Sequence, residues 1–197
     1  MFIENNILIT WGAVSKKYKK GEYVFFEGEH AKFYYQIITG KIKLSNTNPE
    51  GKEFIHGEFK DGCSFGEPTL FINESYPANA IAMEDSIITK INKESFFEII
   101  SEFPVYQMKF ITLLSQRIYD QTISTKEIIN NSPEKRILAF LTMYKIKNAI
   151  SDKEIIIPYT RQEIANYTGL RVETIIRTLS KMQTKNLVKI VNRKLMY

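Results

Sequence analysis

A glutamate and an arginine four residues apart, Glu173 and Arg177, are the residues of this chain whose types and spacing best suit a definite chemistry. On a helix, four residues make about one turn, so both side chains leave the same face. An arginine in that setting can donate two parallel hydrogen bonds to O6 and N7 of a guanine. A carboxylate can accept from N4 of a cytosine. One turn apart, the two reach adjacent base pairs. The same spacing also suits an exposed ion pair worth only about 0.2–0.5 kcal/mol. What decides between them is how the helix is held.

The stretch that must hold it is Thr160 to Thr184, TRQEIANYTGLRVETIIRTLSKMQT. Thr160 can cap a first helix through its hydroxyl, and Glu163 can reach back to the cap, so Thr-Arg-Gln-Glu reads as a capping box. Ile164 and Ala165 open an apolar face. Gly169 supplies a corner where a side chain would be strained. A second helix is predicted from about Arg171, with Ile175, Leu179 and Met182 at i, i+4, i+7. That face demands burial, and Glu173, Arg177 and Lys181 form a row pointing away from it. A helix supported from behind with a polar row in front is what a helix-turn-helix offers to the major groove.

Thr160, Arg161, Glu163, Ile164, Ala165, Gly169, Glu173, Thr174, Ile175, Arg177 and Leu179 together resemble the DNA-reading segment of the cyclic AMP receptor protein and FNR (Crp/Fnr) family of bacterial regulators. The resemblance implies that Glu173 and Arg177 touch base edges. Thr160, Arg161 and Arg171 would meet phosphate, with Lys181 beside them. Val172 is the FNR-type choice before the glutamate. Ile176 stands where the FNR branch carries Ser, and it can pack either on a thymine methyl or into the core beside Ile175. Val172 and Ile176 thus join the base-reading set.

Charge supports a nucleic-acid module at this end. Residues 131–197 hold 13 Lys+Arg against 5 Asp+Glu, a net +8, whereas residues 1–130 hold 14 against 17, a net −3, giving the chain's +5. A basic third on a mildly acidic body is the electrostatic footprint of DNA binding, although solvated lysines alone produce such a bias too. No apolar run reaches the ~18 residues of a membrane span. The start, MFIENNILIT, carries an acid and no basic leader, unlike a secretory signal. Cys63 is the single cysteine and cannot form an internal disulfide, which fits a reducing cytoplasm.

The first hundred residues read differently. A short helix is expected before about Lys20, with Trp11 as a packing anchor. After Gly21, residues 23–26, 33–38, 41–44, 54–59 and 86–91 are short, β-branched and aromatic runs divided by glycines and Asn-Pro-Glu-Gly, the signature of a small barrel or sandwich. The run KKGEYVFFEGEHAKFYYQIITGKIKL resembles the same family's β-roll, a cyclic-nucleotide-binding-like domain, and Gly21, Gly28, Gly40, Gly62 and Gly66 fall where that fold turns. Phe65 to Met83 resembles the family's phosphate-binding cassette, which implies a tentative effector pocket at Gly66, Glu67, Pro68, Thr69, Ala78 and Asn79. In nucleotide-binding members the Gly-Glu pair opens a short helix facing the phosphate, and an arginine about ten residues on neutralises it. Here Tyr76, Pro77, Ala78, Asn79 and Ala80 fill that region, and no Lys or Arg lies between Gly66 and Lys90. Burying a phosphodiester without a countercharge is costly, so tight binding of cyclic AMP is not expected.

No cofactor is expected. One cysteine cannot supply the four that hold the FNR branch's iron–sulfur cluster. His30 and His56 stand alone as haem ligands. No zinc-type spacing occurs, and Cys63 and Ser64 lack a histidine partner for nucleophilic catalysis. The chain is therefore not read as an enzyme.

Glu94 to Glu102 looks helical, Pro104 interrupts, and a long helix follows to about Ile129. Ile111, Leu114, Ile118, Gln121, Thr125 and Ile128 alternate at spacings of 3 and 4, an a/d seam with two polar positions. The seam fits packing on its own barrel or pairing with a second copy, and the resemblance implies the pair. Ser132 and Pro133 start another helix carrying Ile137, Leu138, Leu141 and Tyr144. Residues 153–158, 187–191 and 195–197 read as short strands, with Asn192, Arg193 and Lys194 as a hairpin turn. Lys189, Arg193 and Lys194 are phosphate candidates.

The expectation is an α+β chain in three parts: a β-roll sensor domain at 1–103, a dimerisation helix at 104–130, and a winged helix-turn-helix at 131–197. Its partners would be double-stranded DNA, a second copy of itself, RNA polymerase and an unidentified effector. Two other readings stay open at this point: a cyclic-nucleotide-dependent activator with an atypical pocket, and a β-barrel metal protein or enzyme with a vestigial DNA-binding domain.

Overall fold

The computed structural model describes residues 2–130, 132–148 and 154–197. The side chain of Ile128, Asn131 at the expected boundary, and Lys153 lie outside the described residues. The chain divides into two compact units, Met1–Ile118 and Tyr119–Tyr197. No helix of the described residues is long and apolar enough to cross a membrane.

In the first unit, helix α1 (Asn5–Thr10) precedes eight strands, β1 (Val14–Tyr18), β2 (Tyr23–Phe25), β3 (Phe33–Thr39), β4 (Ile42–Thr47), β5 (Glu53–Phe59), β6 (Ser64–Phe65), β7 (Asn79–Ala82) and β8 (Ser86–Asn92), with the short helix α2 (Glu67–Ile72) between β6 and β7. They form two four-stranded sheets, ordered β1-β8-β3-β6 and β2-β7-β4-β5. The strand pairings of both sheets are antiparallel: Gln36 of β3 faces Thr89 of β8, and Leu44 of β4 faces both Gly57 of β5 and Ala80 of β7. The five expected runs are all strands. β1 escapes the sequence reading because four of its five residues are exposed, which erases alternation. β7 escapes it because its inward residues, Ala80 and Ala82, are small, as its place between β2 and β4 requires.

The core between the sheets is aromatic. Phe25 stacks on Tyr76 at 3.6 Å between ring centroids, and Phe65 lies 5.5 Å from Tyr35 and 6.1 Å from Phe59. Such pairs add about 0.5–1.5 kcal/mol each beyond the area they bury. Buried Gln36 accepts from Ile3 N–H at 2.9 Å and donates to Ile3 C=O at 2.8 Å, fastening the N-terminal segment to β3. All five glycines expected at turns have φ between 78° and 109°. At Gly40 glycine is needed twice over, since φ is +109° and a Cβ would sit 2.1 Å from Ser86 Oγ.

Asn92 caps helix α3 (Lys93–Glu102) by accepting from Ser95 N–H at 2.7 Å. Phe103 separates it from the long helix α4 (Pro104–Asn130). Tyr106 and Phe110 of α4 are buried in the aromatic core of the first unit.

The second unit contains helices α5 (Pro133–Lys147), α6 (Arg161–Thr168) and α7 (Val172–Thr184) and strands β9 (Ile156–Ile157), β10 (Lys189–Val191) and β11 (Lys194–Met196). Ser132 caps α5 with Pro133 at its first position, as expected. The three strands form one sheet, ordered β10-β11-β9. The hairpin turn is shorter than expected. Asn192 and Arg193 both have positive φ, 49° and 64°, as a two-residue type I′ loop requires, and Lys194 already pairs with Val191. Leu187 is not in a strand. Asn186 is left-handed, and Leu187 N–H reaches back to Met182 C=O at 2.9 Å, so both residues terminate α7 in a Schellman motif.

Candidate nucleic-acid interface

The interface is built from α6, α7 and the corner between them. Thr160 Oγ1 accepts from Glu163 N–H at 3.1 Å, and the Glu163 carboxylate accepts from Thr160 N–H at 2.6 Å, so the capping box is complete. Such a cap contributes about 0.5–2 kcal/mol to helix stability. Gly169 follows with φ 64° and turns the chain toward α7. Ile175, Leu179 and Met182 are fully buried against Ile137, Leu141 and Ile164. The apolar row therefore fixes the rotation of α7 about its axis.

That rotation sends the opposite row outward. Glu173 and Arg177 are exposed, and among the described residues neither forms a hydrogen bond or ion pair with the protein. The i, i+4 ion pair that the spacing would also allow is not formed. Ile176, which could have been core, is 55% exposed and stands in the same row. Val172 is half-buried and lends part of its side chain to the core. Lys181 continues the exposed row, and Arg171 is exposed at the N-cap of α7. Arg161 begins α6 half-buried, and desolvation lowers its guanidinium pKa from the ordinary value. Thr160 is exposed, and its cap bond uses an oxygen lone pair rather than the hydroxyl proton.

On the hairpin, Arg193 and Lys194 are exposed. Lys189 differs from the expectation of a free cation. Its ammonium pairs with Glu154 at 2.9 Å; Glu154 lies two residues before β9, and β9 and β10 flank β11 in the same small sheet. Lys185 is likewise paired with Glu134 at 2.7 Å.

One supporting residue was not found by sequence reasoning. Arg136 of α5 donates through Nη2 to the carbonyl of Thr168, the last residue of α6, while its buried Nε has no hydrogen-bond partner among the described residues. It satisfies a carbonyl at the helix end that the helix itself leaves open. Nothing local marks it, because Thr168 is 32 residues away.

The tentative effector pocket is arranged otherwise than expected. Gly66 has φ 78° and caps α2, and a Cβ there would come within 3.1–3.2 Å of Phe25 and Tyr76. Glu67 is fully buried. Its Oε1 lies 2.9 Å from Nη1 of Arg117 on α4 and accepts from Ser64 Oγ at 2.5 Å, while Oε2 is buried without a hydrogen bond to any described residue. Arg117 also donates to Ser64 C=O at 2.8 Å and lies over the Phe59 ring. The stretch between Gly66 and Lys90 lacks a cation as read, but the fold brings one from 50 residues downstream. Thr69 is buried and donates to Gly66 C=O, Pro68 is exposed, Ala78 is buried, and Asn79 Oδ1 accepts from Glu27 N–H. None of these six lines the nearby cavity of about 330 Å³, whose floor is Phe25, Tyr35 and Tyr76 and whose rim includes Glu29, His30 and Lys32. Burial pushes the phenols of Tyr35 and Tyr76 well above their ordinary range, so they offer no charge to a ligand.

Along α4, Ile111 and Ile118 are 56% and 67% exposed, Gln121 and Thr125 are exposed, and Leu114 is half-buried. Among the described residues of the first unit, Ile111, Leu114 and Ile118 of the seam are thus only partly covered.

Comparison with known proteins agrees with both units. Residues 15–103 match the model of the cyclic nucleotide-binding domain, and residues 135–196 match the Crp-like helix-turn-helix domain. The fumarate and nitrate reduction regulatory protein of Yersinia pestis is 29% identical over 178 residues, covering 89% of this chain and 71% of that protein. The transcriptional activator protein Anr of Pseudomonas aeruginosa is 26% identical, covering 86% and 70%. Among solved structures, the c-di-GMP responsive global regulator CLP of Xanthomonas campestris superposes with a TM-score of 0.83 at 20% identity, over 97% of this chain and 98% of that one. FixK2 of Bradyrhizobium japonicum superposes with 0.76 at 21% identity, over 93% and 91%.

Proposed function

We propose that this chain, which belongs to the Crp/Fnr family of transcription regulators, binds DNA as a homodimer and reads a two-fold symmetric site with Glu173 and Arg177, without control by cyclic AMP. The observation that carries the reading is the state of those two side chains: exposed and unpaired, on a helix whose opposite row is fully buried. An arginine and a carboxylate held ready in this way satisfy the geometric demand of major-groove readout before DNA arrives.

In this reading Arg177 takes a guanine and Glu173 a cytosine, with exposed Ile176 beside a thymine methyl and Val172 at the edge of the contact. Thr160, Arg161, Arg171, Lys181, Arg193 and Lys194 meet phosphate, which sets register without carrying sequence information. The exposed seam of α4 pairs with the same seam of a second copy, because two reading helices about 34 Å apart are needed for two half-sites one turn apart. Residues 1–103 then form the sensor part, 104–130 the dimerisation helix and 131–197 the reading part, with the hinge near 131. RNA polymerase is the further partner, the cytoplasm is the location, and no catalytic role is assigned.

Selection of binding sites from random duplexes tests the reading. The expected product is an inverted repeat with a G·C pair at one fixed position in each half, bound by two copies. Arg177→Ala should relax the choice at that pair. Equal loss of binding to selected and random DNA would show that Arg177 is not a base reader, and a single copy on the selected site would remove the dimer.

A further inference from the structure

The buried row of α7 fixes how that helix is rotated. Apolar contacts are non-directional, however, and do not by themselves fix how the helix swings about the corner at Gly169. Two polar ties from the start of α5 bear on that swing. Glu134 pairs with Lys185, the C-cap residue of α7, at 2.7 Å. Their side chains are 29% and 57% exposed, and a pair so placed contributes little. Arg136 is placed differently. Its Nη2 donates to Thr168 C=O, at the end of α6 and next to the corner glycine. A hydrogen bond of this kind is directional. Thr168 itself is buried, and its hydroxyl is turned back to Ile164 C=O at 2.7 Å.

Holding Arg136 there is costly. Among the described residues no carboxylate pairs with the guanidinium, and its buried Nε has no hydrogen-bond partner. An apolar side chain of similar length would fill the place without burying an unpaired polar group. What the position requires is therefore a donor aimed at one carbonyl, not bulk. Beyond that carbonyl come Gly169 at φ 64°, Arg171 as the N-cap of α7, and Glu173 in its first turn. Glu173 thus stands close behind the held point. Arg177 lies between the buried residues Ile175 and Leu179, where α7 is pinned by its own apolar row.

From this geometry we infer that Arg136 is a positioning residue for DNA reading: acting through the carbonyl of Thr168, it fixes the corner between α6 and α7 and so holds the carboxylate of Glu173 to its base pair. The inference rests on the DNA-binding reading and deepens it, adding a residue that sets specificity from behind the reading helix.

The test compares the full-length chain with Arg136→Met, which removes every donor, and with Arg136→Lys, whose ammonium can still donate to Thr168. Thermal unfolding sets a working temperature at which all three are folded. Affinity is then measured for the selected duplex, for each single-base change in it, and for random duplex. Glu173→Ala identifies the base pair that Glu173 reads. Arg136→Met should bind random duplex within about twofold of wild type, because its phosphate contacts are intact. It should bind the selected duplex about tenfold more weakly per half-site, the size of one lost base contact. The lost discrimination should fall at the Glu173 pair, with the Arg177 pair still distinguished. Arg136→Lys should recover most of both. If the methionine variant does not fold, Arg136→Gln, whose amide is too short to reach the carbonyl, takes its place in the same comparison. A variant that is less heat-stable yet keeps the wild-type base profile while folded would show Arg136 to be a packing residue and overturn the inference. So would equal loss at both base pairs, or a lysine variant no better than the methionine one. A wild-type chain that yields no selected duplex would instead sink the DNA-binding reading, and this inference with it.

Discussion

The two units each hold a functionally suggestive glutamate and arginine, and they treat them in opposite ways. In the C-terminal unit Glu173 and Arg177 sit one turn apart on α7 and remain exposed and unpaired. In the N-terminal unit Glu67 and Arg117 are 50 residues apart in sequence and lock together at 2.9 Å. The difference lies in what surrounds them. On α7 the buried row Ile175, Leu179 and Met182 fixes the helix from behind, so the polar row needs no partner within the protein to stay in place. At Glu67 the carboxylate is enclosed by the fold, where an unpaired charge cannot be sustained. The water-facing pair is left available to a ligand, and the enclosed pair is spent on the structure.

That contrast can be broken most sharply at Arg117. Arg117→Met should destabilise the chain by about 3–5 kcal/mol in chemical denaturation, the usual cost of orphaning a buried partner. Glu173→Gln should stay within about 0.5 kcal/mol, as exposed substitutions do. Comparable losses would mean that the two pairs are not different in kind. On the DNA side, Arg177→Ala should cost about 1–3 kcal/mol per half-site in titrations against the selected sequence. It should leave the denaturation midpoint unchanged.

A loss of about 1 kcal/mol of stability is expected from Thr160→Ala, through the broken capping box. It separates the support of the interface from its reading surface, since base preference should survive. Arg193→Ala should weaken selected and random DNA alike and lower the salt slope of binding by about 0.9 for one lost phosphate contact. The smallest effect concerns pH. Burial lowers the pKa of His56 below the 6.5 of the free side chain, opposed by nearby Glu27. The unfolded chain therefore takes up this proton first as pH falls. The stability His56 supports is present above pH 6.5 and declines below it, down to the folded-state pKa. His56→Gln should flatten the pH dependence of the melting temperature in that window.

How much of this was legible in the sequence followed the range of the interactions. The capping box at Thr160, the corner at Gly169 and the buried row of α7 are local, so spacing alone revealed them. The wing is legible in outline, but its turn is one residue shorter than the sequence suggests, and a helix stop claims Leu187, whose apolar side chain reads as strand. β1 and β7 were missed because one is exposed along most of its length and the other is built of alanines. The pocket residues Gly66 and Glu67 were found by resemblance, and their environment was not.

By itself the sequence determined that α7 has a face to bury and a face to offer, because helical periodicity converts residue order directly into direction. It also determined that the region after Gly66 carries no cation of its own until Lys90. Only the tertiary structure decided that Arg117 would meet Glu67, that Arg136 would hold the end of α6, and that Lys189 would be paired. Those contacts join residues between 32 and 50 positions apart. No periodicity encodes them. They exist because chain segments packed for other reasons leave a buried charge or an open carbonyl that only a distant donor can reach.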